Sequence, residues 1–339
     1  MAKVFIIGGP GNISRGTIDY LLERNYEVAV FTRGIDKKKS QYADVSFYEG
    51  DRDDKDNLSK CFNDFGAELI IDTICFTPEQ AEKVYEVVKN NIKQLIFIST
   101  VDVYGYPLSR IPFREIDPYR PAQGSYAQNK YKIELFYWDK YWKEGFPVTI
   151  GRPSLSIGPD FCPMMFWDWG FKAVPRMKEN MPILVPGDGL GLMHVGWGYD
   201  VGRMVGRMAG DAKAIGKDYT LSYKDCITRD DYISLFAHYL GSSSERVYIP
   251  QQYIERFNGV EEIPKIYHLY RTNMAFCLDS FQKDFPDYEW MPLEKGVQEF
   301  IEVNYRRNAF PDPHEECIED MIIKEWEKIL KDWPAKPKY

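Results

Sequence analysis

Tyr126 and Lys130 stand four residues apart in the run Tyr126-Ala127-Gln128-Asn129-Lys130. On a helix that spacing puts both side chains on one face. A free tyrosine, with a pKa of about 10, is a poor acid or base near neutrality. A neighbouring ammonium and an oxidised nicotinamide ring would favour the phenolate and lower that value. Tyr126 could then exchange a proton with a substrate hydroxyl while hydride moves, and Lys130 would also hold the nicotinamide ribose. A YxxxK spacing alone carries little weight in a chain with 24 Tyr. The run Phe97-Ile98-Ser99-Thr100-Val101-Asp102-Val103-Tyr104-Gly105 adds to it. It reads as the end of a strand, and catalytic groups in parallel sheets lie outside the carboxyl ends of strands. Thr100 or Ser99 could orient the reacting oxygen; Thr100 is preferred, because the residue just past the strand faces the crevice.

A second constellation opens the chain. Gly8-Gly9-Pro10-Gly11-Asn12-Ile13 follows an apolar run and precedes a helical pattern, with a further glycine at Gly16. Glycines let the backbone approach a pyrophosphate, and a helix N-terminus supplies N–H donors and a positive dipole end. The expected ligand is a nicotinamide dinucleotide. Its adenosine ribose should meet the end of the second strand, where a carboxylate would favour NAD. That strand ends Phe31-Thr32-Arg33-Gly34. Arg33 could clamp a 2′-phosphate, with Lys37, Lys38 and Lys39 adding field, so NADP is favoured over NAD. The same cations could be solvated loop charges. Asp51, beside Arg52 at the end of the third strand, is placed either to accept from the adenine amino group or to cap a helix.

The elements that must position these groups alternate. Strands are expected at Lys3 to Ile7, Glu27 to Thr32, Val45 to Tyr48, Glu68 to Ile74, Gln94 to Ile98 and Val148 to Gly151. Helices are expected at Thr17 to Arg24, around Leu58 to Phe65, at Pro78 to Asn90 and at Tyr126 to Tyr141. Such alternation implies an α/β fold: a Rossmann, doubly wound parallel sheet with right-handed crossovers. The expected division is a dinucleotide-binding domain over 1–155 and a smaller, mixed substrate-binding lobe over 156–339. The chain would cross back to the sheet around 190–240, and helical patterns recur at Asp200 to Ala209 and Asp230 to Leu240.

The composition fits that class. The 339 residues are 44% hydrophobic and 28% charged, with a net charge of −8. No broad basic face is available, so a nucleic-acid partner is not expected. Six Cys without a CxxC pair suggest neither a metal site nor a disulfide framework. The start lacks the long apolar region of a signal peptide, and no stretch of 18 apolar residues exists. A cytoplasmic protein without a membrane span is therefore expected.

Taken in order, GGPGNI at residue 8, GDRDD at 50–54, ISTVDVYG from Ile98, YAQNK from Tyr126 and GRPSLSIGP at 151–159 resemble an extended short-chain dehydrogenase/reductase. More narrowly they resemble the NAD-dependent epimerase/dehydratase family, over about residues 1–240. The resemblance implies that Gly8, Gly9 and Gly11 contact the dinucleotide and that Thr100, Tyr126 and Lys130 form the catalytic set. Asn12, Ile13, Arg33, Asp51, Arg52, Ser99 and Pro153 complete the expected cofactor site. The family's dehydratases carry an Asp-Glu pair after the Thr; here Val101-Asp102 stands instead, leaving Asp102 as a possible acid or base. Where family members acting on nucleotide sugars carry an Asn, this chain has Ser154-Leu155-Ser156. Where they carry an Arg after the Gly-Asp-Gly turn, Leu190 to His194 follow. A sugar, nucleotide sugar or related carbinol is the expected substrate, with Asp102, Ser154, Phe166 and His194 as substrate candidates.

Phe161, Met164, Met165, Trp167, Trp169, Trp197 and Tyr199 could line an apolar pocket with Phe166, or pack as core. His194 could equally be a buried structural histidine, Arg152 a tie between loop and sheet, and Asp200 a helix cap. The alternatives to an epimerase are a plain NADP-dependent reductase or a non-catalytic, dinucleotide-sensing or RNA-binding relative. The resemblance also implies a homodimer. Its interface would use the face of the Tyr126 helix that carries Phe136 and Trp138.

Overall fold

The computed structural model describes residues 2–34, 42–163, 170–257 and 272–332. The expectations for Lys37, Lys38, Lys39, Met164, Met165, Phe166, Trp167 and Trp169 lie outside the described residues. The chain divides into two compact units. The first comprises Met1–Gly158, His194–Asp225 and Ala275–Gly296; the second comprises Pro159–Met193, Cys226–Met274 and Val297–Tyr339.

The first unit is built on β1 (Lys3–Ile7), α1 (Ser14–Leu22), β2 (Glu27–Thr32), β3 (Val45–Glu49), α2 (Lys55–Phe65), β4 (Leu69–Asp72), α3 (Pro78–Val88) and β5 (Gln94–Ile98). These are followed by α4 (Ser125–Glu144), β6 (Val148–Pro153) and β7 (Leu155–Ile157). Apolar residues run without a break through β1, β2, β4 and β5 because both sheet faces are covered. Val4 and Ile6 point to one face, with Ile18, Leu21, Val201 and Met204. Phe5 and Ile7 point to the other, with Phe62, Val84, Ile133 and Tyr137. Local chemistry starts two of the helices: Asp54 accepts from the Asn57 amide, and Thr77 from the Gln80 amide with Pro78 in the first turn.

In the second unit lie α5 (Ala173–Lys178), β8 (Ile183–Pro186) and β9 (Leu192–Met193). The chain then returns to the first unit as β10 (Val195–Trp197), α6 (Gly198–Met208) and β11 (Lys217–Leu221). It continues in the second as β12 (Ile227–Thr228), α7 (Arg229–Leu240), β13 (Arg246–Ile249) and α8 (Gln251–Ile254). There β12 pairs antiparallel with β9, and β13 parallel with β8.

Seven strands form one sheet in the order β11-β6-β5-β4-β1-β2-β3, every neighbouring pair parallel. The order reverses between β1 and β4, where Ile7 lies opposite Asp72. β6 runs to Pro153 rather than stopping at Gly151, because β11 pairs with it from Thr149 to Pro153. That partner is remote in sequence and leaves no local trace. The Asp200 side chain does not cap α6, contrary to expectation. The cap position is Trp197, without a side-chain bond, and Asp200 accepts from the Tyr288 hydroxyl at 2.7 Å. Burial pushes the Asp200 carboxyl up to about 6.

Candidate active site

The glycine turn leaves β1 at the switch point. Gly8 and Gly9 have φ of +93° and +116°, values that L side chains rarely adopt. A Cβ on Gly9 would also stand 2.9 Å from Ser14 Cβ. The Gly11 amide donates to Ser14 Oγ at 2.8 Å, folding the turn onto the start of α1. Asn12 and Ile13 lead into that helix, whose first turn has no side-chain cap. The Arg15 and Gly16 amides of that turn are already bonded, to Gly11 O at 3.2 Å and Ile13 O at 3.1 Å, which leaves the positive end of the helix dipole to favour an anion. Asn12 Nδ2 donates to Ser156 O at 3.1 Å, and Asn12 Oδ1 is buried without a hydrogen-bond partner. Gly16 meets the backbone of Tyr199 so closely that any Cβ would overlap it, which is how α1 packs on α6.

A cleft of about 390 Å³ runs along the ends of β1, β2, β3 and β4. Gly8, Gly9, Arg33, Gly34, Asp51 and Phe76 are among its lining residues. Arg33 is exposed, and no carboxylate ends β2. Asp51 is exposed, and its Oδ1 accepts from the Asp53 amide at 2.9 Å. Arg52 departs from expectation. Its guanidinium is buried and forks onto Asp72, at 2.7 Å and 3.0 Å, with a further bond to Gln80 O at 3.3 Å. Asp72 is fully buried. The pair ties the loop after β3 to the end of β4, so the fork is spent on structure. The glycine cradle, the dipole of the helix start and the cleft beyond β2 fit the pyrophosphate and adenosine of a dinucleotide.

The second half of the site gathers on β5 and α4. Thr100 follows the last residues of β5; its Oγ1 accepts from the Asp102 amide at 3.2 Å, and the Tyr126 hydroxyl lies beside it. Lys130 is buried, and its Nζ donates to Ile98 O at 2.6 Å. The ammonium sits 5.0 Å from the Phe76 ring centroid, 4.9 Å from that of Phe97 and 5.8 Å from that of Tyr126. Burial pulls Lys130 down to about 8, with Cys75, Asp72 and Glu134 opposing. At Tyr126 the ammonium's share of the expected lowering is missing. Burial of its hydroxyl, and then the Asp102 carboxylate, push it up to about 12. The ammonium faces a carbonyl and ring faces instead of the phenol oxygen, so it does little to favour the phenolate. Burial, and then the same Asp102 carboxylate, push the Tyr106 phenol up as well.

Several expected site residues turn out to be committed elsewhere. Ser99 Oγ donates to Glu134 Oε1 at 2.5 Å and is not free for a substrate. Pro153 is buried at the end of β6, opposite Leu221. Ser154 Oγ is bonded to Ser222 Oγ at 2.5 Å. His194 is held through both ring nitrogens, by Tyr223 O at 2.7 Å and the Phe276 amide at 3.0 Å. Burial pulls it down to about 4, so it is a neutral structural residue. In the second unit Arg229 packs against Gly191, two residues past the Gly-Asp-Gly turn. On α4 the exposed large hydrophobic residues are Tyr126, at the site, and Leu135 and Trp142 away from it. Phe136 and Trp138, expected there, are partly buried against the core.

Sequence reasoning missed Phe76, which stands over Lys130 and 6.3 Å from the Tyr126 ring. No spacing announces it. It also missed Glu134, although Glu134 stands on the Tyr126–Lys130 face one turn further on.

A parallel sheet of this order, with a glycine turn on the strand at its switch point, defines a Rossmann-type dinucleotide-binding fold. Residues 4–222 match the NAD dependent epimerase/dehydratase family, and the chain belongs to that family. Over 185 residues it is 28% identical to the UDP-glucose 4-epimerase of Halalkalibacterium halodurans. That match takes in 47% of this chain and 55% of the relative, so the chain spans about half the length of that curated protein. Among solved structures it resembles the UDP-glucose 4-epimerase of Thermotoga maritima with UDP-glucose. There the TM-score is 0.70 at 20% identity, over 90% of this chain and 99% of that one. It also resembles the dTDP-glucose 4,6-dehydratase of Bacillus anthracis in complex with NAD. That TM-score is 0.72 at 17% identity, over 91% and 98%. At these identities the structural likeness shows the fold.

Proposed function

We propose that the protein is an NAD(P)-dependent oxidoreductase of the epimerase/dehydratase type, acting on the carbinol of a sugar, nucleotide sugar or related alcohol. The observation that carries the reading is the meeting of the Thr100 and Tyr126 hydroxyls beyond the end of β5, with Lys130 one helical turn away. The nicotinamide, when bound, accepts or returns the hydride. Tyr126 gives or takes the substrate's hydroxyl proton, and Thr100 orients the oxygen against it. A phenol pushed up to about 12 is protonated at neutral pH, so the form that donates is present, but it gives up its proton less readily than a free tyrosine. The reading therefore needs positive charge to arrive with the oxidised cofactor before Tyr126 can accept a proton.

Arg33, exposed in the cleft with no carboxylate ending β2, supports NADP over NAD. The committed His194 and Ser154 support a substrate recognised by other groups than those two. Cofactor binding goes with the first unit, whereas the sequence alone assigned it to residues 1–155. Exposed Leu135 and Trp142 on α4 support pairing of two copies through that helix. A monomeric sedimentation profile would count against that pairing.

The test is hydride exchange between bound NAD(P) and a panel of carbinols and carbonyls that includes UDP-glucose. Tyr126→Phe should lower turnover by about two to four orders of magnitude while leaving cofactor affinity intact. Undiminished turnover in that variant overturns the reading.

A further inference from the structure

Behind the candidate site lies a buried polar cluster that the reading above does not use. Glu134 and Arg152 are fully buried. The guanidinium donates to the carboxylate from Nε at 3.0 Å and from Nη2 at 2.8 Å. Arg152 also bonds the Tyr104 hydroxyl at 3.2 Å and the Tyr119 hydroxyl at 3.1 Å, and pairs with Asp218 on β11. A buried ion pair is poor evidence of stabilisation, because well-packed apolar residues commonly serve as well. Its use here is geometric.

The helical repeat places Tyr126, Lys130 and Glu134 on one face of α4. Each reaches one of three successive residues where β5 ends. Lys130 bonds Ile98 O, Glu134 accepts from Ser99 Oγ, and Tyr126 lies beside Thr100. Arg152, from the neighbouring β6, closes the carboxylate from its other side. We infer that Glu134 is a positioning residue: by clamping Ser99 against Arg152 it fixes the height of Thr100 relative to Tyr126, and it supplies negative charge beside Lys130. The inference rests on the proposed hydride-transfer reading of the site.

The charge argument has a definite balance. Lys130 is faced by Asp72 and Cys75 from β4 and the loop after it, by Arg52 from the loop after β3, and by Glu134 on its own helix. Arg52 and Asp72 are paired with each other. Around Arg152, Glu134 and Asp218 supply two carboxylates to one guanidinium. The surplus negative charge there favours the ammonium, against the burial that disfavours it.

Two substitutions separate the roles. Glu134→Gln keeps an acceptor for Ser99 but removes the charge. Ser99→Ala removes the clamp and keeps the charge. The Lys130 titration can be followed by NMR of the protein labelled with 13Cε-lysine, assigned through Lys130→Arg, and needs no ligand. In Glu134→Gln its midpoint should fall by about one pH unit. In Ser99→Ala it should stay in place. In both, kcat on the substrate that the panel identifies should drop by roughly ten- to a hundredfold, with KM changed less than about twofold. Wild-type kcat in Ser99→Ala overturns the positioning role, also where Glu134→Gln fails to fold. An unmoved Lys130 midpoint in a folded Glu134→Gln overturns the charge role. Tyr126→Phe keeps the two readings apart. If that variant is inactive while Glu134→Gln and Ser99→Ala match wild type, only the positioning inference falls. If it stays active, the proposed reaction falls first.

Discussion

Around β1 and β2 the site is made of backbone; around β5, α4 and β6 it is made of buried side chains. The first region offers two glycines at positive φ, an uncapped helix start and an open cleft. The buried pair of Arg52 with Asp72 holds two loops together, and both of its charges also act on Lys130. The second region offers two hydroxyls and an ammonium, set by a network in which Glu134, Arg152 and Lys130 are nearly or wholly buried. Backbone recognition tolerates changes in nearby side chains, because the donors are amides. Side-chain catalysis does not, because each group is placed by another group from a different element. Damage should therefore spread further in the second region.

The sharpest way to break the comparison is to open the buried network. Arg152→Ala strands Glu134 and Asp218 without their cation and should cost about 3–5 kcal/mol of stability, read by urea denaturation. A loss below about 1 kcal/mol would mean that water replaces the guanidinium and that this region is no more demanding than the cleft.

Gly9→Ala probes the backbone region. A side chain at φ +116° is strained, and its Cβ would crowd Ser14. Roughly 1–3 kcal/mol of strain is expected, with NADPH affinity down by about tenfold or more in fluorescence titration. Unaltered affinity would show that the turn does not carry the pyrophosphate.

The pH response should separate the regions more finely. Lys130 sits at about 8, below its ordinary value, so it is charged at neutral pH and neutralised as the pH rises through 8. Whatever depends on its charge, turnover above all, should fall by up to tenfold per unit above that point. Lys130→Arg should move this alkaline limb upward, since a guanidinium does not titrate there. Anchoring by the glycine turn should show no such limb.

The smallest effect is expected at Arg33. Its removal as Arg33→Ala should cost NADPH roughly tenfold in affinity and leave NADH nearly unchanged, the worth of one charged hydrogen-bonded contact. Equal losses for both cofactors would remove the 2′-phosphate assignment.

Much of the first region was legible from local pattern. The glycines, the strand before them and the helix after them are contiguous, and their meaning lies in backbone freedom that sequence displays directly. Tyr126 and Lys130 were legible for a similar reason, since four-residue spacing settles a shared helix face. Arg52 misled, because nothing local reveals that Asp72, at the end of the next strand, takes its whole fork. Ser99, Ser154 and His194 misled in the same way. Each is a chemically able group whose partner arrives from 29 to 82 residues away. Glu134 was overlooked although its helical register was available, because a register does not say what a face meets.

The sequence by itself determined the alternation that winds the sheet, the glycine turn on its first strand and the common face of Tyr126, Lys130 and Glu134. Periodicity and glycine placement are local properties, and local sterics enforce them. Only the tertiary structure decided which polar groups remain free and how they titrate. Lys130 was expected to help ease Tyr126 toward the phenolate, and the phenol is pushed up to about 12 with no help from it. The cause is burial and a carboxylate 24 residues upstream, while the ammonium on its own helix points at the Ile98 carbonyl. Desolvation depends on every atom that crowds a group, and most of those atoms come from elsewhere in the chain.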